Sequence, residues 1–149
     1  MVWGYISHDC KLDLVTMQGN LTGVQYIRDV FQPVVFPHFD IHPLATRPVY
    51  MDDNARPHRS RAVTAYLQSE TVTSVPWPAM SPDLNPIEHI WDMLGRRMHA
   101  REPPVQNIRQ VEEHCIGNGS SYHNIRRLTG GMRRRIETVI RARGGYTRY

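Results

Sequence analysis

Cysteine is scarce in this chain. Only Cys10 and Cys115 occur among 149 residues. They lie far apart with no CxxC spacing, which excludes a cysteine zinc site and a disulfide framework. A reduced, intracellular setting is the expectation. Long hydrophobic runs are missing too. No stretch approaches the roughly 18 apolar residues that span a bilayer, so no membrane partner is expected. The opening "MVWGYISHDC" has no basic segment ahead of an apolar one, so no secretory leader is expected. It reads as a strand that begins at the first residue. Internal repeats and low-complexity tracts are absent, which suits one domain rather than an array.

What is present is enough for a core. A chain of 149 residues with 40% hydrophobic side chains can form one globular domain. The net charge of +4 is unevenly placed. Residues 126–149 hold eight arginines and one glutamate, whereas the other 125 residues hold ten basic and thirteen acidic side chains. A basic tail on a mildly acidic body suits a polyanion such as nucleic acid. An arginine-rich helix face in water has the same composition.

The patterning alternates between strand and helix signals. "MVWGYIS" and "LDLVTMQG" flank a turn and predict an antiparallel hairpin. Thr22 is a candidate N-cap. Val24, Ile27, Phe31 and Val34 follow on one helical face, with Pro33 near the end and Pro37 beyond it. Residues 37–48 read as loop. "RPVYMDDN" is a short strand, with Val49, Met51 and Asp53 on one side and Tyr50 and Asp52 on the other. A helix with Val63, Tyr66 and Leu67 on its inner face comes next, then the short strand "TVTSVPW". The proline-rich "PAMSPDLNP" leads into a helix from Pro86 to about Ala100. Its stripe is Ile87, Ile90, Trp91, Leu94 and Met98, with His89, Asp92, Arg96 and Arg97 opposite. A further helix carries Val105, Ile108, Val111 and Ile116. The last runs from about Tyr122 to Arg143, with an interruption at Gly130-Gly131. The order predicts a mixed α/β domain.

Two carboxylates stand out. Asp53 ends a strand, and functional groups gather beyond the carboxyl ends of strands in open α/β sheets. Glu88 opens the helix after the next strand, so the two are expected to converge at one sheet edge. Paired carboxylates suit Mg²⁺ or Mn²⁺, which take oxygen ligands and retain waters or substrate phosphates. Each residue also has an ordinary reading. Asn85 at N-cap, Pro86 at N1 and Glu88 at N3 make a capping-box pattern. Asp53 before Asn54 is common strand-to-turn chemistry. Asp83 suits a turn cap, and His58 after Pro57 suits a helix start.

Together, "MDDNARPH", "WPAMSPDLNPIEHIWDML" and the terminal "RARGGYTRY" resemble the catalytic domain of the Tc/mariner superfamily of cut-and-paste DNA transposases. Asp53 and Glu88 are separated by 34 residues, the interval typical of the Tc branch. The resemblance runs from Val2 to Tyr149. It implies a ribonuclease H-like fold, and an Asp, Asp, Glu or Asp triad that binds two divalent ions. The second Asp is then Asp53 and the third acidic residue Glu88, which both caps its helix and ligates metal. Asn54, His58, Asp83 and Asn85 become residues that shape the site. Arg133, Arg134, Arg135, Arg141 and Arg143 become nucleic-acid contacts.

By the same resemblance, the first catalytic Asp belongs on a central strand just before "MVWG". This strand is expected upstream of Met1, as are the helix-turn-helix domains that read transposon ends. Asp9 and Asp13 are not substitutes. Residues 1–149 would then be an N-terminally truncated catalytic domain, with 103–149 as its helical, arginine-rich part. Weak metal binding, poor turnover and marginal stability are the expectations. The implied function is metal-dependent DNA cleavage and strand transfer in the nucleus, acting on transposon ends and target DNA. Self-association is allowed, and no small-molecule substrate is expected. The alternative is a catalytically inactive transposon remnant that binds nucleic acid or a partner. A cellular ribonuclease H-type nuclease suits the "WPAMSPDLNPIE" loop less well.

Overall fold

The computed structural model describes residues 1–8, 10–41, 49–78, 81–107, 109–111, 113 and 122–145. Cys115, Ile108, Ile116, Asp9 and the end of "RARGGYTRY" therefore lie outside the described residues, and the loop reading is tested only as far as residue 41. Two compact units are present. The first comprises Met1–Trp3 and Val15–Ser81, the second Gly4–Leu14 and Pro82–Tyr149.

The hairpin forms as predicted, from β1 (Val2–Ser7) and β2 (Cys10–Thr16). Met1 and Met17 exchange both backbone hydrogen bonds, each 2.9 Å, which marks an antiparallel pair. Next comes α1 (Gly23–Tyr26), then a π-helical segment (Ile27–Val35), then α2 (Phe36–Ile41). Thr22 caps α1 in a full capping box. Its Oγ1 accepts the Gln25 N–H at 3.2 Å, and its own N–H is donated to Gln25 Oε1 at 3.0 Å.

The inner face of this stretch differs from the one expected. Tyr26, Val30, Phe31 and Val35 are buried, whereas Val24 is 67% exposed and Val34 is half-buried. The cause is the i→i+5 register, seen where the Phe36 N–H is donated to the Phe31 carbonyl. A wider turn returns to the core every four to five residues rather than every 3.6. The chain also stays helical past Pro33 and Pro37, so 37–41 is helix rather than the expected loop.

Strand β3 (Val49–Tyr50) pairs in parallel with β4 (Thr73–Ser74), in the register Val49 to Thr73 and Tyr50 to Ser74. The crossover between them is α3 (Arg61–Ser69). Parallel neighbours need such a crossover, and a helix is the usual one. Val63 and Leu67 are the buried side of α3, as the sequence predicts. Around Phe31, Tyr26 and Tyr50 lie edge-on at 4.8 and 5.2 Å between ring centroids. This aromatic cluster, with Val30, Val35, Val63 and Leu67, is the core of the first unit.

In the second unit, a short 3-10 turn (Pro82–Leu84) precedes α4 (Pro86–His99). Ile90 and Leu94 of α4 are fully buried with Ile125, and Ile6, Leu14, Ile87, Trp91 and Met98 pack against them. His89, Asp92, Arg96 and Arg97 are exposed. Helices α5 (Tyr122–Gly130) and α6 (Met132–Arg141) follow among the described residues, parted at Gly131 as expected.

Candidate functional site

Asp53 lies just past β3, where the chain turns toward α3. Alternation along the strand directs its neighbours oppositely. Tyr50 and Asp52 are buried, while Val49 and Asp53 are exposed. The Asp53 carboxylate is not loose. Its Oδ1 accepts the Ala55 N–H at 2.9 Å and the His58 Nδ1–H at 2.7 Å. Partial burial pushes its carboxyl upward, but the Ala55 amide and the His58 ring outweigh burial and hold it below the ordinary range. The His58 ring in turn stacks on Tyr26, with centroids 4.4 Å apart and planes 27° apart. Tyr26 accepts from Trp3 Nε1–H at 3.1 Å and hydrogen-bonds the Tyr50 hydroxyl. Burial raises both tyrosine hydroxyls, which keeps them neutral.

Two residues that the sequence reading did not single out build the same turn. Asp52 Oδ1 accepts the Asn54 N–H at 2.7 Å and lies 3.0 Å from Arg59 Nε. Asn54 takes the left-handed backbone region at φ 62°, and its Nδ2 donates to the Trp77 carbonyl at 2.8 Å. An asparagine tolerates that conformation better than most residues. Asp52, Asp53 and His58 each bring a ligand-type atom within 4.8 Å of the others. Asp52 is engaged by Arg59 on the buried side, so the exposed Asp53 is the carboxylate able to meet a hard cation.

Glu88, Asp83 and Asn85 belong to the second unit. Asn85 is 8% exposed and caps α4, as expected. The reciprocal box does not form. Asn85 Oδ1 accepts from Ile87 at 3.4 Å rather than from Glu88, and the Asn85 N–H is donated to Pro82 at 2.9 Å. Glu88 stands exposed in the first helical turn. Asp83 is exposed within the 3-10 turn. The structure thus brings Asp53, Asn54 and His58 together in the first unit, and places Asp83, Asn85 and Glu88 along one short segment of the second.

The five arginines singled out above also fall in the second unit. Arg133, Arg134, Arg141 and Arg143 are exposed. Arg133 pairs with Glu137 at 2.9 Å. Arg135 is half-buried and donates to the Leu128 carbonyl, so one of its donors serves the end of α5. Helix α6 packs on the Pro82–Leu84 turn, which places this helix beside the segment that leads to Glu88.

Residues 4–112 match the family model described as DDE superfamily endonuclease. The transposase of transposable element Tc1 from Caenorhabditis elegans is 31% identical over 154 aligned residues, covering all of this chain and 54% of that protein. The chain therefore spans about half the length of the curated relative. The crystal structure of the Mos1 mariner transposase catalytic domain superposes with a TM-score of 0.83 at 16% identity. It covers 99% of this chain and 75% of that one. The likeness shows a ribonuclease H-like fold. The same Mos1 domain has been solved with raltegravir and Mg, again with a TM-score of 0.83 and 16% identity, at 99% and 76% coverage.

Proposed function

This chain belongs to the DDE superfamily endonuclease family, as a Tc/mariner transposase-like domain, and we propose that it takes part in metal-dependent cleavage and transfer of DNA strands. The observation that carries the reading is the Asp53 carboxylate: exposed, held ionised, and aimed by Ala55 and His58. Asp53 and Glu88 are the residues that would hold Mg²⁺ or Mn²⁺. Two such ions, when bound, make a water or a DNA 3′-hydroxyl a stronger nucleophile and neutralise the leaving oxygen. His58 orients Asp53. Asn85 and the first turn of α4 orient Glu88. The exposed arginines of α6 supply sequence-independent contacts to phosphates. Residues 1–149 belong to one catalytic domain in this reading, and 103–149 is its helical, arginine-rich part. The Mos1 transposase forms a paired-end complex with the left transposon end. By analogy the substrates here are transposon ends and target DNA in the nucleus, engaged by a self-associated protein.

The test is Mn²⁺ binding, followed by titration calorimetry on the chain and on Asp53→Asn and Glu88→Gln. Loss of a carboxylate ligand is expected to weaken binding by about tenfold or more, the lower bound even for residues behind the ligands. Wild-type affinity in both variants would sink the proposal.

A further inference from the structure

We infer that Asp52 and Arg59 form a clamp that positions the Asp53 carboxylate. The inference rests on Asp53 acting as the metal ligand proposed above.

Asp52 is 5% exposed, and its Oδ2 is buried with no hydrogen-bond partner among the described residues. All of its recorded donors converge on Oδ1: the Asn54 amide at 2.7 Å and Arg59 Nε at 3.0 Å. A carboxylate so placed depends on its cation, because a buried charge without a partner is costly. Arg59 does more than neutralise it. Its Nη1 donates to Ser74 Oγ at 3.2 Å and its Nη2 to the Val75 carbonyl at 3.1 Å. One guanidinium thus joins the chain just after β3 to the end of β4. A planar fork with five donors can do this; a lysine ammonium is a single point charge on a flexible stem.

The consequence falls on Asp53. The residue before it is held by Arg59. The residue after it is held twice, through its amide to Asp52 and through its side chain to Trp77. The Asp53 backbone is therefore fixed on both sides. This leaves the Ala55 amide and His58 to set the carboxylate itself. Such supporting groups govern affinity because a ligand in the wrong place must be reordered before it binds.

Hydrogen exchange at the Ala55 amide, which reports the Asp53 carboxylate directly, tests the clamp without metal. Mn²⁺ affinity is measured beside it. In Arg59→Ala, Ala55 protection is expected to fall by about tenfold or more. Mn²⁺ affinity is expected to fall by about tenfold. Amides in α3 such as Leu67 should keep their protection. Unchanged Ala55 protection in Arg59→Ala overturns the inference, and so does an equal loss at Ala55 and Leu67. Should Arg59→Ala not fold, Arg59→Lys decides. It keeps the charge without the fork, and unchanged Ala55 protection there overturns the clamp. If Asp53→Asn leaves Mn²⁺ affinity at the wild-type value, Asp53 is not a metal ligand, and Ala55 exchange still judges the clamp.

Discussion

At the scale of single residues, Asp53 ties function to stability. Its partial burial is outweighed by the Ala55 amide and the His58 ring, so its folded pKa lies below the ordinary 3.8. Folding therefore favours the ionised form. The resulting stabilisation is complete above about pH 5 and is lost as pH falls through 3.8 and lower. Urea unfolding of wild type and Asp53→Asn between pH 6 and pH 3 checks this. The difference in unfolding free energy is expected to shrink steadily in acid, and a constant difference would contradict it. Asp53 and His58 were legible in "MDDNARPH", because strand-end and turn chemistry depend on near neighbours. Asp52 and Arg59 were not. Alternation along the strand assigned Asp52 to the face opposite Asp53, and its partner is recognisable only once β4 brings Ser74 and Val75 alongside.

At the scale of elements, the close meeting of α1 and α3 decides how the first unit packs. A Cβ built on Gly23 would lie 1.9 Å from Ser60 Oγ and 2.8 Å from Ser60 Cβ. Ser60 cannot swing away freely, since its Oγ accepts the Val63 N–H as the N-cap of α3. Gly23→Ala must therefore separate the helices or give up the cap. The expected loss is about 1–3 kcal/mol, as for other overpacked contacts. Chemical denaturation measures it, and a neutral or stabilised variant would refute the packing argument. Helix α4 was readable because its stripe keeps a 3.6-residue period. The run after Thr22 misled because its period changes. Tyr26, Val30, Phe31 and Val35 face inward at the wider π-helical spacing, which no 3.6-residue template anticipates. The capping box was also assigned to the wrong helix. The signature Thr22-x-x-Gln25 was present in the sequence, while Asn85 meets its helix through N2.

At the scale of the whole molecule, charge separates the arginine-rich end from the rest. An exposed arginine helix is consistent with a solvated face and with a DNA contact, and composition cannot choose between them. Location adds a reason for contact: α6 packs on the turn that leads to Glu88. Counterion release then gives a quantitative test. Each phosphate neutralised contributes about 0.9 to the slope of log affinity against log salt on duplex DNA. Replacing both Arg134 and Arg141 by alanine is expected to lower that slope by about 2. The melting temperature should barely move, because both side chains are exposed and such substitutions cost little. Fluorescence anisotropy on a labelled duplex across a salt series provides the slope. If the slope is unchanged in the double variant while affinity is measurable, these arginines are a solvated surface and the phosphate contacts lie elsewhere. If the slope falls as expected for several unrelated duplex sequences, the contact is to the backbone. Sequence choice must then come from another part of the protein.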